Sequence, residues 1–173
     1  MLAMVGQTPF DGIIRAMYQL TTKQPPLSIK GTGKSELRTQ FAALPYRIKD
    51  GKLQVMIITS RGSGRWILPK GWPMHDRTPA AAAAREAWEE AGVKGSGPDH
   101  SIGLYSYEKL MGNGNRYRCI VVVYPLRVKS QAAVFPEAGQ RKRRWLSPKK
   151  AARKVREPEL AQLIARFRPK DRH

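Results

Sequence analysis

Three of the thirteen acidic residues of the chain, Glu86, Glu89 and Glu90, fall within five consecutive positions of the stretch AAREAWEEAGV. The chain as a whole is strongly basic: 32 Lys and Arg against 13 Asp and Glu give a formal charge of +19. On a helix turning about 100° per residue, the three carboxylates share one arc and become neighbours in space. They would also lie near the helix C-terminus, where the macrodipole disfavours each negative charge by roughly 0.3–1 kcal/mol. Like charges at i and i+4 add to that cost. A lone glutamate pair on a helix is ordinary solvated surface, but a doubly unfavourable cluster in an acid-poor chain asks for a cation. Several carboxylate oxygens suit Mg2+ or Mn2+, ions that bind phosphates readily while keeping some of their waters. With a basic surface close by, the chemistry implied is at phosphate. The metal would neutralise a phosphate chain and arginines would hold the remaining oxygens. No zinc-type cluster competes, because His75, His100 and His173 are scattered and read as surface residues.

The element carrying the glutamates is well marked. Thr78 is a good N-cap, Pro79 suits the first helical position, and Gly92 suits the stop. Ala81, Ala84, Trp88 and Ala91 recur at spacings of three, four and three, which predicts the buried stripe and makes Trp88 a core residue. Strands flank this helix. FAALPYRI and LQVMIITS face each other across Lys49-Asp50-Gly51-Lys52, a turn with the Asp-Gly signal of a hairpin. A short strand WIL (66–68) ends at Pro69. Ile102 to Met111 and Tyr117 to Leu126 form a second hairpin across Gly112-Asn113-Gly114-Asn115. Arg143 to Leu146 reads as a last strand, followed by helix signals at Ser147-Pro148 and from Glu157 to Phe167. The fold class is α/β with a mixed sheet. Residues 1–35 read as a partly flexible N-terminal extension, broken by Pro25-Pro26 and Gly31-Thr32-Gly33. Within it, Ile13, Ile14, Met17 and Tyr18 could form one short amphipathic helix.

Composition narrows the classes. A length of 173 residues with 41% hydrophobic content suits one compact domain with extra chain at its ends. The longest strongly apolar run, Cys119 to Tyr124, is far too short to span a bilayer, and no secretory signal is read at the N-terminus. The single cysteine, Cys119, reads as a buried structural thiol, and a reducing cytoplasm is the expected compartment. From Arg141 to Arg156 the chain holds nine basic residues and no acid. Most of such a run is expected to be a solvated face. Arg141 and Arg143 differ, because alternation before Trp145 would put both on one strand face. There, at least one could present a guanidinium fork to phosphate.

Gly71 followed by Arg85-Glu86-Ala87-Trp88-Glu89-Glu90-Ala91-Gly92-Val93 resembles the Nudix box, G-x5-E-x7-R-E-U-x-E-E-x-G-U with U apolar. The spacing fits without a gap. One fixed position departs: the first Glu of the pattern is Arg77 here, and Ala87 is small for its apolar place. FAALPYR, TSRGSGRWILPKGW and RKRRWLSPKKAA are similar to the diphosphoinositol polyphosphate phosphohydrolase subgroup. The resemblance implies a domain over 36–168, followed by a C-terminal tail at 169–173. It implies an α/β/α sandwich with a mixed sheet and a central catalytic helix. It also implies metal-dependent hydrolysis of a diphosphate linkage in a small phosphorylated substrate. By position, Glu86 and Glu90 would bind the metal, and Glu89 would bind metal or act as general base. The Lys70 carbonyl would complete the shell, and Arg85 belongs with the catalytic set. Arg47, Arg61, Arg65, Arg141 and Arg143 become candidates for phosphate contacts, against the alternative of ordinary surface arginines. Glu137, the one acid between Glu108 and Glu157, is the candidate for a further acid from a late loop. With Arg77 in place of an acid, the usual tie to Arg85 is lost, and Asp76 is the candidate to replace it.

Two other functions fit parts of this pattern. A pyrophosphohydrolase acting on RNA 5′ ends would suit the charge, although no aromatic-interleaved basic strand of the kind that stacks bases is present. A non-catalytic basic module binding polyanions would suit it too, but such a relic would be free to lose acids that cost stability. Diphosphoinositol phosphates, dinucleoside polyphosphates and nucleotide sugars all present the required diphosphate. Oligomeric state is left open by the sequence.

Overall fold

The structure, a computed structural model, describes residues 37–169. The N-terminal extension, its amphipathic segment and nearly all of the C-terminal tail lie outside those residues. Strand β1 (Leu37–Lys49) turns into β2 (Lys52–Thr59) with Lys49 opposite Lys52. The two turn residues, Asp50 and Gly51, have φ of 51° and 69°. Two successive positive φ values are what a two-residue hairpin needs to match strand twist, so the Asp-Gly pair does here what its chemistry predicts. Two short bridges follow, β3 (Trp66–Ile67) on β2 and β4 (Lys70–Gly71) on β1. The helix α1 (Pro79–Ala91) comes next, then β5 (Val93–Ser96), β6 (Gly103–Leu110) and the long β7 (Arg116–Gln131). The chain closes with β8 (Arg143–Leu146), α2 (Pro148–Ala152) and α3 (Pro158–Arg166).

The sheet is mixed, as expected. β1 runs parallel to β7, from Leu37 beside Arg118 to Tyr46 beside Arg127, while the other pairings are antiparallel. Alternation along β1 divides the core into two layers. Phe41 and Ala43 pack with Ala82, Ala83, Ala87 and Ala91 of α1. Ala42, Leu44 and Tyr46 pack on the other side with Leu160, Ile164 and Phe167. Helices on both faces of one sheet make an α/β/α sandwich. Cys119 is buried in β7, where burial raises its thiol above the usual range and leaves it inert.

The buried stripe of α1 differs from the one the spacing predicts. Ala82, Ala83, Ala87 and Ala91 are buried together with Glu90, while Ala81, Ala84 and Trp88 are only partly covered. Methyl side chains let helix and sheet approach closely, which leaves no room for an indole at the seam. Trp88 lies at the margin instead, with Lys94 Nζ 4.2 Å above its ring. Turning the helix this way carries Glu90 inward.

Candidate active site

Both ends of α1 are fixed by their caps. Thr78 Oγ1 accepts from the Ala81 N–H at 3.2 Å, and Gly92, at φ 65°, donates its N–H to the Trp88 carbonyl at 3.0 Å. A side chain at Gly92 would be left-handed and would meet the Phe135 ring at 2.5 Å. Between these caps the three glutamates find different surroundings. Glu90 is 8% exposed, accepts from the Lys70 N–H at 3.1 Å and from Arg141 Nη2 at 2.6 Å. Glu89 is drawn to Arg85 Nε at 2.5 Å. Glu86 reaches towards β4 so closely that a Cβ on Gly71 would lie 2.0 Å from its Oε1. The glycine of the motif is therefore needed for space.

Electrostatics follow from this crowding. Burial, then Glu90, Glu89 and Glu137, push the Glu86 carboxyl up to about 7. Burial also raises Glu90, against the opposing pull of Arg141 and the Lys70 N–H. The Lys70 ammonium is held below its ordinary range, chiefly by burial. Each direction is that of a charge taken from water.

The late loop joins the cluster. Glu137 donates its N–H to the Glu89 carbonyl at 3.0 Å, and its carboxylate receives Arg141 Nε at 2.5 Å. Arg141 is 5% exposed and spends its third contact on the Thr59 carbonyl, 3.1 Å from Nη1. This differs from the strand-face arrangement expected for Arg141 and Arg143. β8 begins only at Arg143. Arg141 precedes it as a buried brace between helix, loop and β2. Arg143 Nη1 donates to the Ala91 and Ala132 carbonyls at 2.9 and 3.0 Å, over the Phe135 ring. A cation on those last carbonyls offsets the negative end of the helix dipole.

The remaining arginines separate by place. Arg61 is 62% exposed and stands 3.7 Å from Glu137, so it can reach an incoming anion at the site. Arg65 pairs with Glu157 at 3.2 Å. Arg47 bonds Gln54 and stacks over Trp145. Gln54 is five strand residues from Thr59, which at roughly 3.3 Å per residue sets Arg47 about 16 Å along the sheet from the Arg141 brace. The departure at Arg77 also resolves locally. Its N–H closes the turn onto the Met74 carbonyl at 3.4 Å, and the Thr78 cap completes it. Among the described residues Asp76 does not take the missing role, and Arg85 turns to Glu89.

Gln40, Tyr107 and Lys109 belong to no motif in the sequence, and Trp72 only closes one. They gather beside β4 because four strands end there, a juxtaposition with no local signature. Among the described residues no three acidic, imidazole or thiol side chains converge on one point. Arg85 and Arg141 draw two of the glutamates aside. The donor chemistry nevertheless fits a hard divalent cation. Glu86 has no hydrogen bond or ion pair among the described residues and is crowded by like charge, and the Lys70 main chain lies against Glu90.

Comparison with known proteins is consistent with this geometry. The family model for the NUDIX domain matches residues 38–167. Nudix hydrolase 13, mitochondrial, of Arabidopsis thaliana is 33% identical over 138 residues, covering 68% of this chain and 66% of the relative. The chain thus spans just under two thirds of that relative's length. Diphosphoinositol polyphosphate phosphohydrolase 2 of Rattus norvegicus is 33% identical over only 73 residues, 42% of this chain and 41% of its own. Among solved structures, a C. elegans Ap4A hydrolase binary complex superimposes with a TM-score of 0.57 at 18% identity, covering 74% of this chain and 93% of the other. That likeness is one of fold. A family match across nearly every described residue, on the fold built above, makes the chain a member of the Nudix family.

Proposed function

We propose that the chain hydrolyses a phosphoanhydride bond in a small phosphorylated compound, with Mg2+ or Mn2+ held by Glu86, Glu89, Glu90 and the Lys70 carbonyl. The observation that carries this reading is the state of Glu86: half-buried among three other carboxylates, without a partner among the described residues, and lifted to about 7. Bound there, the metal would neutralise phosphate oxygens and favour ionisation of water. Glu89, released from Arg85, accepts the proton of the attacking water. Oxygen bonds to phosphorus as the bridging P–O bond breaks, and two phosphorylated products leave. Arg61 holds a non-bridging oxygen at the mouth. Arg141 keeps Glu90 and Glu137 in place from behind.

The substrate is proposed from the class with a diphosphate: diphosphoinositol polyphosphates, dinucleoside polyphosphates or other nucleoside diphosphate derivatives. The motifs shared with the diphosphoinositol subgroup support the first, over the partial match noted above. A hydrolysis screen across these classes with Mg2+ and Mn2+, run beside Glu86→Gln and Glu89→Gln, tests the reading. Metal-dependent turnover lost in both variants is expected, and no turnover of any diphosphate would overturn it. A 5′-triphosphorylated RNA belongs in the same screen, because Arg144, Lys149, Lys150, Arg153 and Lys154 are all exposed. The cytoplasm remains the proposed compartment, to be checked by imaging the tagged chain.

A further inference from the structure

On the sheet face turned away from α1, the short helix α2 and the segments beside it present cations without anions. Arg144, Lys149, Lys150, Arg153, Lys154 and Arg156 are all exposed, and none has an ion pair among the described residues. The next acids along the chain are engaged elsewhere. Glu157 is 9% exposed and pairs with Arg65 at 3.2 Å, and Glu159 is partly covered in the first turn of α3, where the helix dipole favours it. Local chemistry explains part of the basic run. Lys149 and Lys150 stand in the last turn of α2, where cations are favoured, and Arg153 Nε donates to the Lys149 carbonyl at 3.4 Å. Arg144, Lys154 and Arg156 have no such reason. Two of these are drawn to one ring instead. Arg144 pairs with Ile57 and Trp66 with Thr59, positions that share a face of β2. The Arg144 guanidinium lies 5.5 Å and Lys154 Nζ 6.0 Å from the centroid of the half-buried Trp66 ring. The interleaving of cations and aromatics that no single stretch of the sequence shows thus arises across β8, β3 and the turn after α2.

A cationic face with one partly open indole suits few partners. Protein interfaces centre on apolar anchors and are depleted of charge at their core. The exposed large hydrophobic residues, Leu37, Ile48, Trp72, Leu110 and Val134, belong to none of β3, β8, α2 and its following turn. The same lack leaves nothing there to insert into a lipid layer. A nucleic-acid strand needs neither: its phosphates meet the lysines and the arginine forks, and any base can lie on an indole. We propose that this face docks single-stranded nucleic acid, held by Arg144, Lys154 and the α2 cations, with Trp66 stacking on one base. The strand is a tether and does not contain the bond that is cut, so it needs neither a diphosphate nor a metal. The glutamates belong to α1 on the opposite face of the sheet. The docking therefore does not depend on what they hydrolyse.

The probe is a fluorescein-labelled RNA with a 5′-hydroxyl end, a strand without any phosphoanhydride, followed by anisotropy in EDTA. Affinity should fall with salt along a log–log slope of about −3 to −4, the value for about four to six phosphates on a single strand. Arg144→Gln/Lys154→Gln should weaken binding roughly 25-fold at 0.1 M salt and flatten the slope by about 1.4, the counterion share of two phosphates. Lys49→Gln/Lys52→Gln removes the same charge from the exposed β1–β2 turn and should cost less than about twofold, because distant surface charge is screened. An abasic strand of equal length should bind more weakly than the RNA by roughly fivefold or more, since it offers no base to Trp66. Glu86→Gln should bind the RNA as wild type does. Equal losses in the two double variants would overturn the proposal and leave a diffuse positive field. So would RNA binding that Glu86→Gln abolishes, or equal affinity for the abasic strand. Vesicles of equal parts phosphatidylserine and phosphatidylcholine provide the lipid arm. Vesicle binding that Arg144→Gln/Lys154→Gln abolishes, with the RNA left unbound, would make this a membrane surface instead. If the RNA pattern holds but no diphosphate is hydrolysed, the catalytic reading alone falls. If diphosphates are cleaved and the RNA is ignored, the docking face alone falls.

Discussion

Replacing Arg141 by methionine tests the ion network where it is most heavily tied. The side chain is 5% exposed and holds Glu90 at 2.6 Å, Glu137 at 2.5 Å and the Thr59 carbonyl at 3.1 Å. Methionine keeps the apolar stem and removes every donor. Breaking a buried pair from one side costs about 3–5 kcal/mol, because the partner charge stays behind without compensation. Two carboxylates are stranded here, but Glu137 is 20% exposed and water can relieve it. A loss of about 2–4 kcal/mol without metal is expected at neutral pH. For a chain of this size that is roughly 5–15 °C in melting temperature. Excess Mg2+ should then raise the variant more than it raises wild type, since no guanidinium competes for Glu90. Ligand linkage gives about 2.7 kcal/mol at a hundred times the dissociation constant. Calorimetric melts with and without Mg2+ read both numbers. A variant that melts lower and gains no more from Mg2+ than wild type would show that Arg141 does not compete with a metal for Glu90. One that melts like wild type would refute the network itself.

Other expectations follow from single residues. Glu86 carries a folded carboxyl lifted to about 7 against an ordinary 4.5, so the folded state holds its proton more tightly. Its contribution to metal-free stability is complete below about 4.5 and is lost as pH rises through 7, by about 1–2 kcal/mol after allowing for partial exposure. Glu86→Gln should flatten that slope in pH-dependent urea melts. Gly71→Ala pushes a Cβ to 2.0 Å from Glu86 Oε1. The carboxylate can swing away, so stability should fall by less than about 1 kcal/mol, while kcat drops at least tenfold in a steady-state assay. Trp88→Ala should cost about 1–2 kcal/mol rather than the 3–5 kcal/mol of a fully buried aromatic, because its ring is half-covered beneath Lys94. A larger loss in the melting curve would return Trp88 to the core.

Features written in contiguous residues were legible in the sequence. Thr78, Pro79 and Gly92 mark α1 to the residue, and Asp50-Gly51 marks the first hairpin, because caps and two-residue turns are local chemistry. The phase of α1 was not legible. Ala80 to Ala84 is an uninterrupted alanine run, so several arcs satisfy the period equally and only contact with the sheet selects Ala82, Ala83 and Ala87. β4 has two residues, too few to show alternation, although it brings Lys70 and Gly71 against Glu90 and Glu86. Arg141 meets Glu90 across 51 residues and Thr59 across 82. Composition announces such a cation as surface charge, and only tertiary packing turns it inward.

The C-terminal end of α1 is sewn to the segment after β7. The Glu89 carbonyl receives Glu137, the Ala91 carbonyl receives Arg143, the Gly92 carbonyl receives Ala132, and the Phe135 ring closes over Gly92. Helix and late loop consequently behave as one mechanical part, and a hinge between Gly92 and residues 132–143 would have to tear all of these stitches together. Amide exchange should therefore report joint opening of the two segments. The acid that the loop supplies has its position set by the helix it serves, so exchanging this loop between family members succeeds only when the last turn of the helix travels with it.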